Sequence, residues 1–166
     1  MNTKNISLRS FTPNDQTMLL EILTSPKVNK TYMLPDFEQT EDAIPLFRRL
    51  MELSENEARF VRCLDWDGTA IGFLNDVEIK DNAMEVGYVI HPDYHNRGFM
   101  TVALTLAIQE LFRKGYSEVI CGAFEGNKAS LRVMQKAGMK LLERTDDIEY
   151  RGKVHRCIYY GLKNEE

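Results

Sequence analysis

The sequence predicts a single domain of mixed α+β type, on three observations. Runs with helical apolar spacing and strand-like apolar runs both occur along the chain. Tight-turn signals, Asp67-Gly68 within DWDG and Asp81-Asn82, join neighbouring strand candidates directly, as hairpins do. The 166 residues are 43% hydrophobic and 28% charged, enough for one sizeable core, and carry no linker, internal repeat or low-complexity segment.

Taken in order, Ile6–Arg9 reads as a short strand. Asp15–Leu23 has helical spacing in Met18, Leu19, Ile22 and Leu23, with Asn14 or Asp15 as N-cap and Pro26 beyond its end. Residues 29–38 place Tyr32, Met33, Leu34 and Phe37 between breakers, which predicts a loop or half-ordered flap. Thr40 is expected to cap a second helix to about Leu53, with Ile44, Phe47, Leu50 and Met51 on one face. Arg59–Leu64 and Ala70–Ile79 flank the DWDG turn, and Met84–Ile90 follows Asp81-Asn82. Met100–Lys114 is helical through Leu104, Ile108, Leu111 and Phe112, and Gly115 stops it. Val119–Phe124 is a strand expected beside Met84–Ile90. Asn127–Ala137 is a helix ended by Gly138. Met139–Glu143 and Cys157–Leu162 close the chain as strands around a polar turn, DDIEYRGK.

Charge and composition narrow the function. A formal net charge of −4 excludes a nucleic-acid partner bound through a broad basic face, and suits a cationic substrate or plain solubility equally. Cys63, Cys121 and Cys157 form no CxxC pair, which argues for a reducing compartment and against a disulfide framework or zinc site. Cys121 reads as a small apolar core residue. His91, His95 and His155 make no metal pattern, so no metal is expected. The N-terminus lacks the apolar core of a signal peptide, and no run approaches the length of a membrane span. A cytoplasmic protein with no membrane partner is the expectation. Trp66 is read as part of a hairpin turn, where exposure is expected.

Two stretches carry chemistry. In HPDYHNRGFMTVAL, His91 to Leu104, a polar loop follows an apolar strand and opens a long helix. Unpaired N–H groups and the helix dipole favour an anion at such a mouth, Gly98 lets the backbone approach closely, and Arg97 adds fixed charge. A solvated strand-to-helix turn is the other account of the loop. It is neither a Walker loop nor a dinucleotide-type triple glycine. In GNKASLRVMQKAG, Gly126 to Gly138, Asn127 fits an N-cap and Ser130 falls in the first turn, at the same helix mouth. Taken alone, a capped helix packing Leu131, Val133 and Met134 is the leading account of that stretch.

Taken together the ordered set resembles the GNAT acetyltransferases, and more closely the RimJ/RimL-type branch that acetylates ribosomal-protein N-termini. The matching residues are Glu85-Val86-Gly87-Tyr88, His91-Pro92, Arg97-Gly98-Phe99, Thr101, and Asn127-x-x-Ser130-x-Arg132-Val133-x-x-Lys136-x-Gly138, with LRSFTPND near the start. The resemblance implies a GNAT-like, acyl-CoA N-acyltransferase fold throughout residues 1–166, a seven-stranded, mixed, mostly antiparallel sheet flanked by helices. It implies acetyl-CoA as cosubstrate. Its pyrophosphate would be held by the loop of His95, Asn96, Arg97, Gly98, Phe99, Met100 and Thr101, and its pantetheine arm would run along Val89 and Ile90, with Asn127 also at the cofactor. The family pattern has Gln or Arg where His95 stands, Gly or Ala where Met100 stands, and in this branch often Glu where Val102 stands.

The resemblance also implies the chemistry. A backbone N–H near Tyr88 or Val89 would meet the thioester carbonyl. Many members protonate the leaving thiolate with a Tyr where this chain has Met134, so Ser130 is the candidate, as in the RimJ/RimL-type branch. Glu85 matches the strand glutamate that another branch uses as a base through water; an ordinary paired or solvated carboxylate is its other account. The implied acceptor is an amine, either a small molecule or a protein N-terminus, whose α-amine needs little help from a base at a pKa of about 7.7–8.0. The flap from Tyr32 to Phe37 and the acidic Asp146, Asp147 and Glu149 are candidate places for acceptor selection, with a solvated charge run as the leading account of the acidic residues. A monomer or a homodimer both fit. An acyl-CoA-binding regulatory module on the same fold, without turnover, is the alternative, as is a phosphate-binding protein that prefers ATP.

Overall fold

Three strand connections are two-residue turns with both residues at positive φ: Asp67 and Gly68 (52° and 88°), Asp81 and Asn82 (52° and 60°), and Arg151 and Gly152 (53° and 76°). That is the type I′ geometry whose twist matches paired strands. The computed structural model describes residues 3–165. These turns join β2 (Val61–Trp66) to β3 (Thr69–Lys80), β3 to β4 (Ala83–Ile90), and β6 (Lys140–Tyr150) to β7 (Lys153–Lys163). With β1 (Ile6–Arg9) and β5 (Glu118–Phe124) they make a seven-stranded sheet in the order β1-β2-β3-β4-β5-β7-β6. Strands β1/β2, β2/β3, β5/β7 and β6/β7 pair antiparallel. Strands β4 and β5 pair parallel from Ala83↔Glu118 to Glu85↔Ile120. A parallel pair needs a crossover, and α3 (Phe99–Arg113) supplies it. The expected mixed, mostly antiparallel sheet and its four helices, α1 (Gln16–Leu23), α2 (Ile44–Ser54), α3 and α4 (Lys128–Lys136), are present.

The helix starts differ from the expectation for a local reason. Asp15 stands at the N-cap position of α1, one of the two expected residues, but a 3-10 turn over Pro13–Asp15, capped by Thr12, precedes the helix, and the Asp15 carboxylate reaches back to the Thr12 N–H at 2.8 Å. Gln39 rather than Thr40 opens a second such turn over Thr40–Ala43, and the Gln39 N–H donates to Asp42 at 3.0 Å. Helix α2 then starts at Ile44, with Pro45 in its first turn, where a missing N–H is no loss.

The last hairpin is the larger correction. The stretch DDIEYRGK is not a polar turn: strands β6 and β7 continue through it, pairing Ile148 with His155 and Tyr150 with Lys153. Ile148 and Tyr150 are partly buried while Asp147 and Glu149 are exposed, a period-two pattern that the charges hide.

By contacts the chain divides into a first unit, reaching to Asn75 and taking in Tyr88–Phe99, and a second made of Asp76–Gly87 and the chain from Met100. In the first, Phe11, Leu19, Ile22, Leu23, Phe47, Val61, Cys63 and Phe73 form the core. The segment read as a flap packs on it through Tyr32, Leu34 and Phe37, and the Tyr32 hydroxyl donates to Asn75 at 2.6 Å. In the second, Phe124, Cys157 and Tyr159 gather with Ile120, Leu142, Ile148 and Tyr150.

Candidate functional site

The loop after β4 is built from two left-handed residues around an arginine. Asn96 has φ 59° and Gly98 φ 80°, left-handed positions of the kind from which anion-binding backbone nests are made, just before α3 begins. A Cβ on Gly98 would find room, its nearest neighbour being Thr3 Cγ2 at 3.7 Å, so it is the backbone angle that calls for glycine. The 15-residue helix α3 starts at Phe99, and its first N–H groups lack partners within the helix. The side chains of Phe99 and Met100 are buried in the core. What this stretch offers outward is therefore backbone, and the bulk of Met100 does not sit on the exposed side of the loop. The unpartnered amides and dipole at a helix start favour an anion such as phosphate.

Arg97 is the charged member of the loop. Its guanidinium lies 5.2 Å from the Trp66 ring centre, 5.5 Å from Tyr94 and 5.0 Å from Phe99. The rings contact one another, Trp66–Phe99 at 5.0 Å and Trp66–Tyr94 at 5.9 Å. Trp66 is thus not part of the turn: it is the last residue of β2, half-buried under the loop. From sequence Trp66 had no binding role and Tyr94 was not singled out; the signal was aromatic residues at the strand end and in the loop that meet at Arg97.

The histidines have structural tasks. His91 Nδ1 accepts from the Asp93 N–H at 3.1 Å, which leaves Nε2 to donate to Glu21 at 2.8 Å. His95 Nε2 lies 3.1 Å from the Ile90 carbonyl oxygen, bracing the loop against the end of β4. His155 stacks on Phe124 at 4.4 Å. Val89 is buried, and Gly72 on β3 makes room for it: a Cβ there would collide with the Val89 carbonyl oxygen.

Glu85 belongs to a cluster in the second unit. Arg144 Nη1 donates to Glu85 at 3.3 Å and its Nε to Asp146 at 3.4 Å. The same guanidinium lies 3.7 Å from the centre of the Tyr159 ring, and the Tyr159 hydroxyl donates to Asp146 at 2.7 Å. Burial pushes the Glu85 carboxyl above its ordinary range, and Arg144 offsets only part of that. Glu85 is therefore a paired carboxylate and a more basic one than usual. Asp146, expected in a turn, sits on β6 beside it; Arg144 and Tyr159 were not foreseen.

On α4, Asn127 is the N-cap, and its Oδ1 accepts from the Ser130 N–H at 3.3 Å. Met134 is fully buried and fills core. Cys121 is buried with its thiol held protonated by burial, and burial pushes the Cys63 thiol up to about 12. Among the described residues, no group of three or more His, Cys, Asp or Glu is placed to hold a metal, and no helix is long and apolar enough to cross a membrane.

Known proteins are similar to this chain in sequence and in fold. Residues 5–140 match the family model described as acetyltransferase (GNAT) domain. A Bacillus subtilis (strain 168) protein named uncharacterized N-acetyltransferase YoaA is 26% identical over 148 residues, covering 84% of this chain and 82% of that protein. From the same strain, the putative ribosomal N-acetyltransferase YdaF is 25% identical over 178 residues, covering 98% and 93%. In fold, the chain is similar to RimL, a ribosomal L7/L12 alpha-N-protein acetyltransferase solved with coenzyme A. The TM-score is 0.84 at 17% identity, over 96% of this chain and 94% of that one.

Proposed function

The chain belongs to the GNAT acetyltransferases, and from that premise we propose that it moves an acetyl group from acetyl-CoA to a primary amine by direct attack on the thioester. The observation that carries this is the loop from His95 to Thr101, where left-handed Asn96 and Gly98 lead into the first turn of α3 inside the matched region.

In this reading the amides around Arg97, Gly98, Phe99, Met100 and Thr101 hold the pyrophosphate of acetyl-CoA, and Arg97 adds charge. Val89 and Ile90 line the pantetheine arm, with Asn127 beside the cofactor. A backbone N–H of β4 near Tyr88 or Val89 polarises the thioester carbonyl. Glu85 accepts a proton from the amine as its nitrogen bonds to the acetyl carbon. As the carbon–sulfur bond breaks, Ser130 donates to the thiolate or stabilises its charge. The amine is a protein N-terminus or a small molecule; a protein N-terminus has support in the names of YdaF and RimL.

Calorimetric titration with acetyl-CoA, and with ATP as control, tests the reading. The expected result is binding of acetyl-CoA in preference to ATP, followed by release of free thiol with N-terminal peptides or polyamines. No acetyl-CoA binding overturns it. Binding without thiol release across the amine panel would make the chain an acyl-CoA-binding module instead.

A further inference from the structure

The Glu85 cluster has a layered order that the proposed chemistry does not by itself require. At its base is Gly122 on β5, where a Cβ would stand 2.6 Å from Tyr159 Cε1, so only glycine lets the ring lie down there. The ring is the second layer, with its hydroxyl fixed on Asp146 at 2.7 Å. The third is the Arg144 guanidinium, 3.7 Å above the ring centre. Its Nε reaches Asp146 and its Nη1 reaches Glu85. Stacking and two carboxylates leave a long, flexible side chain little freedom, and they aim one N–H at Glu85.

We propose that Arg144 is a positioning residue for acetyl transfer: stacked on Tyr159 and clasped by Asp146, it holds the Glu85 carboxylate ionised and oriented to accept the acceptor amine's proton. This rests on the reading of Glu85 as the base. The charged and titratable groups around Glu85 are Arg144 and Asp146 on β6, Glu78 on β3, Cys121 on β5, and Cys157 and Tyr159 on β7. Of these only Arg144 is a cation. Glu78 and Asp146 both disfavour the ionised carboxylate, as burial does. Remove Arg144 and nothing in this set opposes them.

The test follows the Glu85 carboxyl directly, by carbon-13 NMR titration of the cofactor-free full chain. In parallel, kcat/KM is measured against pH with an amine that the wild type acetylates. In Arg144→Gln, the Glu85 titration and the acid limb of kcat/KM should both move up by about one pH unit. Arg144→Lys should return both toward wild type, Glu85→Gln should lose the limb, and acetyl-CoA affinity should hold throughout. An unmoved Glu85 titration in Arg144→Gln overturns the inference. So does an acid limb that stays put while the titration moves. Absence of wild-type turnover overturns the acetyl-transfer reading instead, and the NMR titration still decides whether Arg144 sets the charge on Glu85.

Discussion

The Arg97 guanidinium lies 5.2 Å from the centre of the Trp66 ring, so the charged residue of the α3 loop rests on the last residue of β2. Tyr94 and Phe99 complete an aromatic floor beneath it. Such contacts give a partly exposed cation a preferred position at little entropic cost when a ligand arrives. Trp66 is the sole tryptophan, so it reports on that ligand by fluorescence.

The wild-type Trp66 emission should therefore change on titration with acetyl-CoA. Arg97→Ala should weaken acetyl-CoA binding about tenfold, the scale of one charge-assisted hydrogen bond. Trp66→Leu keeps the charge and loses part of the support, so its loss should be smaller, about threefold. Wild-type affinity in Arg97→Ala would remove Arg97 from the phosphate contacts.

At Gly98 two effects separate by choice of side chain. Its φ of 80° strains any other residue, while the space around it is open. Gly98→Ala should cost about 1–2 kcal/mol of stability and leave acetyl-CoA binding measurable. Gly98→Glu carries the same strain and sets a carboxylate against the pyrophosphate, so binding should vanish in calorimetry. Equal affinities in the two variants would rule out a phosphate at the loop.

For Ser130, the cap bond uses the backbone N–H, with Asn127 Oδ1 as acceptor. Ser130→Ala leaves that bond in place, so fold and acetyl-CoA affinity should persist while kcat falls about a hundredfold, the low end for a lost proton donor. Asn127→Ala should instead cost about 1 kcal/mol in thermal stability. Full turnover in Ser130→Ala would clear its hydroxyl of any role.

The sequence made the sheet legible where its turns are chemically marked. Asp67-Gly68 and Asp81-Asn82 are residues that tolerate positive φ, and both hairpins stood out. The turn at Arg151-Gly152 was hidden because Asp146, Asp147 and Glu149 made the flanking arms read as loop, although they sit on β6. The loop at Gly98 was visible as one glycine at a strand-to-helix junction. The stack of Gly122, Tyr159 and Arg144 was not, because it depends on register: Gly122 faces Tyr159 across β5 and β7, and no spacing along the chain encodes that. Trp66 was misplaced by two residues of strand length, enough to move it from a turn to the floor under Arg97.

Asp15 gives a stability test apart from the site. Arg9 binds it with two nitrogens, Nη1 at 2.8 Å and Nη2 at 2.9 Å, and holds Asp65 with Nε at 2.8 Å. Burial alone would push the Asp15 carboxyl up, but the Arg9 bonds and the Thr12 N–H outweigh it and hold it below the usual carboxylate range. A carboxyl lowered in the folded state stabilises the fold above its unfolded pKa and loses that contribution as pH falls through the folded value. Asp15→Asn should therefore cost about 2 kcal/mol at neutral pH, where the charge-assisted bonds are lost. As pH drops below about 4, wild-type Tm should fall toward that of the variant, because protonation removes the same charge. Melting curves of the two proteins against pH check this, and a constant gap from neutral to acid pH would show that the Arg9–Asp15 pair does not set the acid sensitivity of the fold.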